Sequence, residues 1–311
     1  AVVLWFVQGW VFAAARPRLG VMRGTLAWLG SSCWANLIQI PFDIAVRFGM
    51  YRYWRFTPEE FGVSTVLSGV WTVLVKLGLP AVAVIAQLAA GRELPGWLAV
   101  VAAIGAVAFI VVVVLMAGVV NSESFATKLG ELATRVANAV LGKLKRPPIE
   151  DMTERVLDVR QQAAGTVSSQ WLLLSISNLA VVVANVAILT IALRAMGVTS
   201  EVLSWVDVLT GYAVVLLVTV IPITPGGVGV AELAYIAVFT RLADTNATTM
   251  SEEVLEAVIT AAVFLYRIVT WLLVIPAGFA LQFLWRWRVK RTTGEDPIAV
   301  AARGSAARAE H

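Results

Sequence analysis

Residues 96–120, GWLAVVAAIGAVAFIVVVVLMAGVV, run without a single charged side chain. A helix needs roughly 20 apolar residues to cross the hydrocarbon core of a bilayer. In that core each backbone N–H and C=O must find its partner inside the protein, which helices do within their own segment. A run of this length and apolarity is thereby confined to a membrane-spanning helix. Comparable runs recur along the 311 residues, of which 59% are hydrophobic and 14% charged, whereas soluble domains carry about 25% charged residues. The chain reads as an all-α polytopic membrane protein.

Apolar runs set against charged breaks predict helices over 1–15, 24–40, 63–90, 96–118, 170–193, 205–221, 230–241 and 254–285. They amount to about six spanning helices plus two re-entrant hairpins broken by proline or glycine. Residues 1–15 are short for a span and have no basic lead-in, so they read as the remainder of a helix that begins upstream rather than as a signal peptide. Segment 42–56, FDIAVRFGMYRYWRF, is amphipathic and expected to lie at an interface or dip into it. Residues 119–169 form the one long polar connection, with an amphipathic surface helix that RPPIED breaks. From Gly294 the tail has little to bury and is expected to be disordered. The expected units are a first membrane half over 1–118, the connection 119–169, a second half over 170–290 and a tail over 291–311.

Composition also closes off chemistry. A single cysteine, Cys33, and a single histidine, His311, build no intramolecular disulfide, no Cys/His metal site and no Ser-His-Asp triad. No catalytic constellation, metal, cofactor or P-loop is expected. The net charge of +4 and the pI near 9.5 do not call for nucleic acid, because basic residues gather on the cytoplasmic side of membrane proteins. Loops 16–23, 47–60, 119–169 and the tail from 286 hold 19 of the 24 Lys and Arg residues. Arg92, Arg194 and Arg241 are left for the opposite side, with Lys76 and Arg267 inside apolar spans. This bias predicts a multi-pass protein of a bacterial cytoplasmic membrane with its C-terminus in the cytoplasm. It also requires segments 24–56 and 205–241 to start and finish on the same side, turning near Pro41 and near Pro222 to Gly229. Two such hairpins entering from opposite faces are what an inverted repeat produces.

PITPGGVGVAELAY, residues 222–235, breaks the second hairpin. Pro222 and Pro225 end the incoming helix, and Gly226, Gly227 and Gly229 allow close backbone approach. The next helix would present unpaired N–H groups and its positive pole toward the break, a cradle for an anion such as a lipid phosphate. Glu232 falls in the first turn of that helix. Arg267, with at least ten uncharged residues on either side, is its natural partner, because intramembrane ionisable groups face a bundle interior or a wet cavity. A purely structural pair is the plain alternative. Lys76 is a second cation inside a span, with a stem that could also reach an interface. Asp43 and Arg47, one helical turn apart beside Pro41, read either as a local surface pair or as a secondary site. Trp285 and Trp287, interleaved with Arg286 and Arg288, read as an interfacial anchor.

PITPGGVGVAELAY followed by AAVFLYRIVTWLLVIPAG resembles the second half of the flippase-like integral membrane family, which includes the transmembrane, lipid-flipping region of bacterial lysylphosphatidylglycerol synthases. NLIQIPFDIAVRFGMYRYWRFTPEEF resembles its first-half hairpin, with the Tyr-Arg-aromatic stretch of actinobacterial-type members. The resemblance implies that Pro225, Gly226, Gly227, Gly229 and Glu232 form the family's Pro-Gly-Gly-x-Gly-x-x-Glu element and that Arg267 is its membrane arginine. It departs at Pro41-Phe42-Asp43, where many members have glycines, and at Ser68-Gly69, where many have a Glu-Arg pair. Residues 288–311 hold no synthase domain, so aminoacyl-lipid synthesis does not come with it. The implied function is movement of a phospholipid or lipid-linked molecule between leaflets. Two other classes fit the same residues: a secondary transporter of a small polar solute, and a non-catalytic membrane partner of a cell-envelope synthesis enzyme.

Overall fold

A computed structural model describes residues 1–37, 42–125, scattered positions from 127 to 138, 153–220 and 224–293. The expected turn at Pro41, the break at RPPIED, Pro222 itself and the tail from Gly294 lie outside the described residues. Among the described residues the main elements are all helices: α1 (Val2–Ala15), α2 (Val21–Ala35), α3 (Phe42–Tyr53), α4 (Pro58–Ala89), α5 (Gly96–Asn121), α6 (Thr153–Ala195), α7 (Trp205–Val218), α8 (Val230–Leu242), α9 (Glu252–Arg267) and α10 (Val274–Thr293). Four stretches are long and apolar enough to cross a bilayer: Pro58–Ala89, Gly96–Val119, Ser169–Ala195 and Glu252–Arg291. Val2–Ala15 and Trp205–Val218 are apolar but shorter. On α5, Val100, Ile104, Val107, Val111 and Val114 are exposed, a continuous apolar face that a bilayer accommodates and water does not. The chain is a polytopic helical membrane protein.

Local chemistry explains where the helices start. Thr57 and Glu60 form a reciprocal capping box at α4, with Pro58 in its first turn. Ser204 and Asp207 do the same for α7, and the Ser251 hydroxyl accepts from Val254 N–H at α9.

Two differences from the sequence expectation stand out. The helix expected from residue 170 begins earlier, at Thr153, because TERVLDVRQQAA holds strong helix formers and no proline after Pro148 interrupts them; its apolar spanning part still starts at Ser169. The expected single helix over 254–285 is divided by a π-turn at Ile268–Leu272, where Leu273 N–H reaches back five residues to the Ile268 carbonyl (2.9 Å). Pro276 is the physical cause: it has no N–H for the Leu272 carbonyl and its ring crowds that turn.

Contacts sort the loops onto two ends. At one end Arg16 pairs with Glu60 (2.5 Å), Arg23 lies over Trp54, and Tyr53 meets Trp285 edge-on. Ala14, Ala15, Val63 and Leu174 pack together there, with Met116 against them. At the other end Arg92 and Gln87 bond Asp207, and Asp244 N–H bonds the Val202 carbonyl (3.0 Å). Arg194 there caps the carbonyls of Val198, Thr199 and Leu203. Segment α2–α3 leaves from Arg23 and returns to Trp54; segment α7–α8 leaves from Asp207 and returns to Asp244. Each is a hairpin with both feet at one end, and the two enter from opposite ends.

Asp207 is 1% exposed and fastens the α4–α5 corner to the foot of the second hairpin. It accepts from Arg92 (2.6 Å), Gln87 (3.1 Å) and Ser204 N–H (2.8 Å). Asp207→Ala is expected to destabilise the protein by about 3 kcal/mol, the low end for a broken buried pair because the exposed side of Arg92 can rehydrate. Thermal unfolding in detergent checks this, and Arg92→Ala, which leaves the carboxylate its other donors, should cost less.

Candidate functional site: a polar cavity between the hairpin tips

The second hairpin turns through three glycines in left-handed conformations. Gly226 has φ +61°, Gly227 +69° and Gly229 +82°. Such angles cost an L-residue roughly 1–2 kcal/mol each, so the spacing of glycines in PGGVG is a backbone requirement. Pro225–Gly227 makes a single 3-10 turn. Gly227 N–H then closes onto the Thr224 carbonyl (3.0 Å), and the Thr224 hydroxyl donates to the Val228 carbonyl (2.8 Å).

Glu232, 8% exposed, sits one turn into α8. One carboxylate oxygen accepts from Gly229 N–H (2.6 Å) and the other from Arg267 Nε (2.5 Å). Arg267 also donates from Nη2 to the Gly226 carbonyl (2.8 Å) and lies over the Trp271 ring. The expected Glu232–Arg267 partnership is thus present, and it fastens the glycine loop to the last turn of α9, beside the π-turn. It also takes up Gly229 N–H, while Gly227 N–H is spent inside the loop. The glycine backbone therefore has fewer free donors for an anion than its sequence suggests, and the loop presents Arg267 instead.

The first hairpin meets the π-turn and α10 at this level. Asn36, just past the end of α2, donates from Nδ2 to the Trp271 carbonyl (3.3 Å), and Trp34 donates to Gln282 (3.0 Å). Between the two tips and helices α1, α4, α6 and α9 lies a cavity of about 760 Å³. Gly226, Gly227, Arg267, Lys76, Asp43 and Arg47 all line it. Glu232, bonded to Arg267, and Gly229, bonded to Glu232, are outside the lining. Pro225 opens the turn through its backbone, and Pro41 lies outside the described residues.

Asp43 and Arg47 are consequently not a surface pair. The Arg47 guanidinium lies over Phe12 (4.9 Å) and Phe61 (5.9 Å), while Oδ1 of Asp43 and Nε of Arg47 are buried with no hydrogen-bond partner. Trp271 Nε1 is another such atom. Three of the four unpartnered buried side-chain atoms among the described residues therefore belong to lining residues, and unsatisfied groups of this kind are costly unless a guest or water completes them. Lys76 has neither a hydrogen-bond nor an ion-pair partner among the described residues. It lies roughly 24 Å along α4 from Glu60 and roughly 16 Å from Gln87 at 1.5 Å per residue, too far inside for its stem to reach either end.

A polar track that hydropathy alone does not pick out joins these cations. Thr65, Ser68, Thr72 and Lys76 recur at helical spacing on one face of α4, and Asn178 and Asn185 stand two turns apart on α6; all six line the cavity. Thr72 meets Asn178 (3.3 Å), and Tyr266 donates to Asn185 (3.0 Å). The signal available in the sequence is periodicity: hydroxyl and amide groups on one stripe of an otherwise apolar span.

The glycines separate two effects that substitution can test. A Cβ on Gly226 would overlap Trp271 Nε1, whereas Gly229 has open space around it. Gly229→Ala should cost about 1–2 kcal/mol from backbone strain alone. Gly226→Ala adds a clash that must displace Trp271 and loosen the Arg267 contact, so its melting temperature in detergent should fall further. Equal losses would mean that the indole does not pack against the loop.

Comparison with curated proteins finds no match, and comparison with solved structures finds none either. Comparison with known families does find a match, which runs from residue 1 to residue 278 and fits the helical membrane fold. The chain belongs to the family described as the lysylphosphatidylglycerol synthase TM region.

Proposed function

We propose that the protein moves a phospholipid or lipid-linked molecule between leaflets, its headgroup passing through the cavity while the acyl chains stay in the surrounding lipid. The observation that carries this reading is the cavity itself: both hairpin tips, Lys76, Arg47 and Arg267 line one polar space inside a membrane fold. A headgroup of phosphate charge would find Lys76 unpaired and Arg267 with donors left over from Glu232 and Gly226. The hydroxyls and amides on α4 and α6 replace hydration along the way, which a charged group needs before it can leave water. Membership of a family built around a lipid synthase's membrane region supports a lipid as cargo.

In this reading α1–α5 and α6–α10 act as two halves of opposite topology, each contributing one hairpin, with Arg47 and Lys76 from the first and Arg267 from the second. Arg16, Arg18, Arg23, Arg52 and Arg55 mark the cytoplasmic end in a bacterial cytoplasmic membrane, by the distribution of basic residues. Family membership concerns the membrane region alone, so the proposal includes no synthase chemistry.

Reconstituted proteoliposomes holding a headgroup-labelled phospholipid test it, read by access of a membrane-impermeant quencher. Losing one charge-assisted hydrogen bond of about 1.5–3 kcal/mol predicts that Lys76→Gln slows translocation roughly ten- to a hundredfold. Glu232→Gln should slow it too, through the loosened loop, and should lower thermal stability as Lys76→Gln does not. Unchanged rates in folded Lys76→Gln and Arg267→Gln proteins would overturn the proposal.

A further inference from the structure

The first turns of α3 carry an arrangement that neither the family match nor the Arg267 site accounts for. Asp43 and Arg47 stand one helical turn apart, where side chains share a face with Cβ atoms roughly 5–6 Å apart. Both line the cavity. Yet Asp43 Oδ1 accepts nothing and Arg47 Nε donates to nothing, although both atoms are buried. Opposite charges at this spacing ordinarily close on each other. Here the guanidinium is instead held over the Phe12 and Phe61 rings, and cation–π attraction keeps it in place without consuming its N–H groups.

The result is an unpartnered acceptor atom and an unpartnered donor atom on two charged side chains that line one polar space. An anion alone would satisfy Arg47 and crowd Asp43; a cation alone would do the reverse. A lone water cannot supply a charge to either. Asp43 also lies in the first turn of α3, where the positive pole of the helix dipole suits a negative charge.

We infer that Asp43 and Arg47 select a zwitterionic headgroup in which a phosphate and a protonated amine are joined by a short linker, the phosphate on Arg47 and the ammonium on Asp43. The inference rests on the translocation reading and adds to it the class of headgroup. A primary ammonium fits better than a quaternary one, because only the former donates hydrogen bonds to a carboxylate. Phosphatidylethanolamine has this chemistry; phosphatidylglycerol lacks the cation and phosphatidylcholine lacks the donors. The remaining neighbours are compatible: Gln8, Ser32, Asn36 and Thr65 offer neutral polar groups on the same lining.

The test compares translocation of headgroup-matched lipids by the full chain in vesicles containing phosphatidylethanolamine, phosphatidylglycerol or phosphatidylcholine. Wild-type protein is expected to move phosphatidylethanolamine about tenfold faster than either of the others, the effect of one hydrogen bond of about 1.4 kcal/mol. Asp43→Asn, nearly the same shape without the charge, should collapse that ratio toward one, and Asp43→Glu should restore most of it. Arg47→Gln should slow all three lipids. Binding of each lipid by native mass spectrometry, with soluble phosphoethanolamine as competitor, provides the same ratio should a variant translocate too slowly to measure. Competition by soluble phosphoethanolamine at concentrations near those of the lipid would identify a solute site rather than a lipid site and overturn the assignment. A lipid ratio that Asp43→Asn leaves unaltered overturns the selectivity inference while leaving translocation standing. Absence of translocation by wild-type protein would instead remove the function on which it rests.

Discussion

Glu232 reaches backward to Gly229 N–H and sideways to Arg267, and Arg267 reaches on to the Gly226 carbonyl. Three elements meet in that triangle: the start of α8, the left-handed glycine loop and the last turn of α9. Each brings a liability that another cancels. The helix start brings N–H groups without partners, the loop brings a bare carbonyl, and the arginine brings a charge that hydrocarbon does not solvate. An Arg buried without the acid, or the acid without the Arg, would be an uncompensated ion of the kind that costs several kcal/mol. The closeness of Trp271 to Gly226 adds a steric reason why only glycine fits at that position.

The first half meets the same problem differently. Arg47 is stacked between aromatic rings rather than paired, Asp43 is left open, and Lys76 has no partner among the described residues. The two halves thus contribute different electrostatics to one cavity, an ion pair at Arg267 and charges without such a pair at Arg47 and Lys76. This asymmetry matches the sequence departures from the family pattern at Pro41-Phe42-Asp43 and Ser68-Gly69. On the proposed function, the halves would divide the work of recognition instead of duplicating it.

Much of the fold was legible before any coordinates. Charge-free runs specify spanning helices because the bilayer leaves the backbone no other option. The distribution of Lys and Arg demanded two segments that return to the side they came from, and α2–α3 and α7–α8 do so. The Glu232–Arg267 pair could be anticipated because a buried acid and a buried base in neighbouring apolar segments have few other ways to be satisfied. The π-turn after Arg267 was less visible, although Pro276 carried its cause, because a proline can kink, end or bulge a helix and packing chooses among these. The helical run of 153–169 is hidden for a related reason: polar residues with high helix propensity look like a loop when only hydropathy is weighed.

What the sequence determined by itself is therefore the class of protein, the places where its helices break and the residues too costly to leave unpaired in a membrane. Only the tertiary structure decided which of those residues share a space. Asp43 and Arg47 fit a surface helix equally well by sequence, since periodicity records spacing along one helix and is silent about what the opposite helices present. Packing of α1, α4, α6 and α9 around the hairpin tips turns that pair inward, aligns it with Lys76 and the polar stripe of α4, and makes a single cavity from residues more than two hundred positions apart.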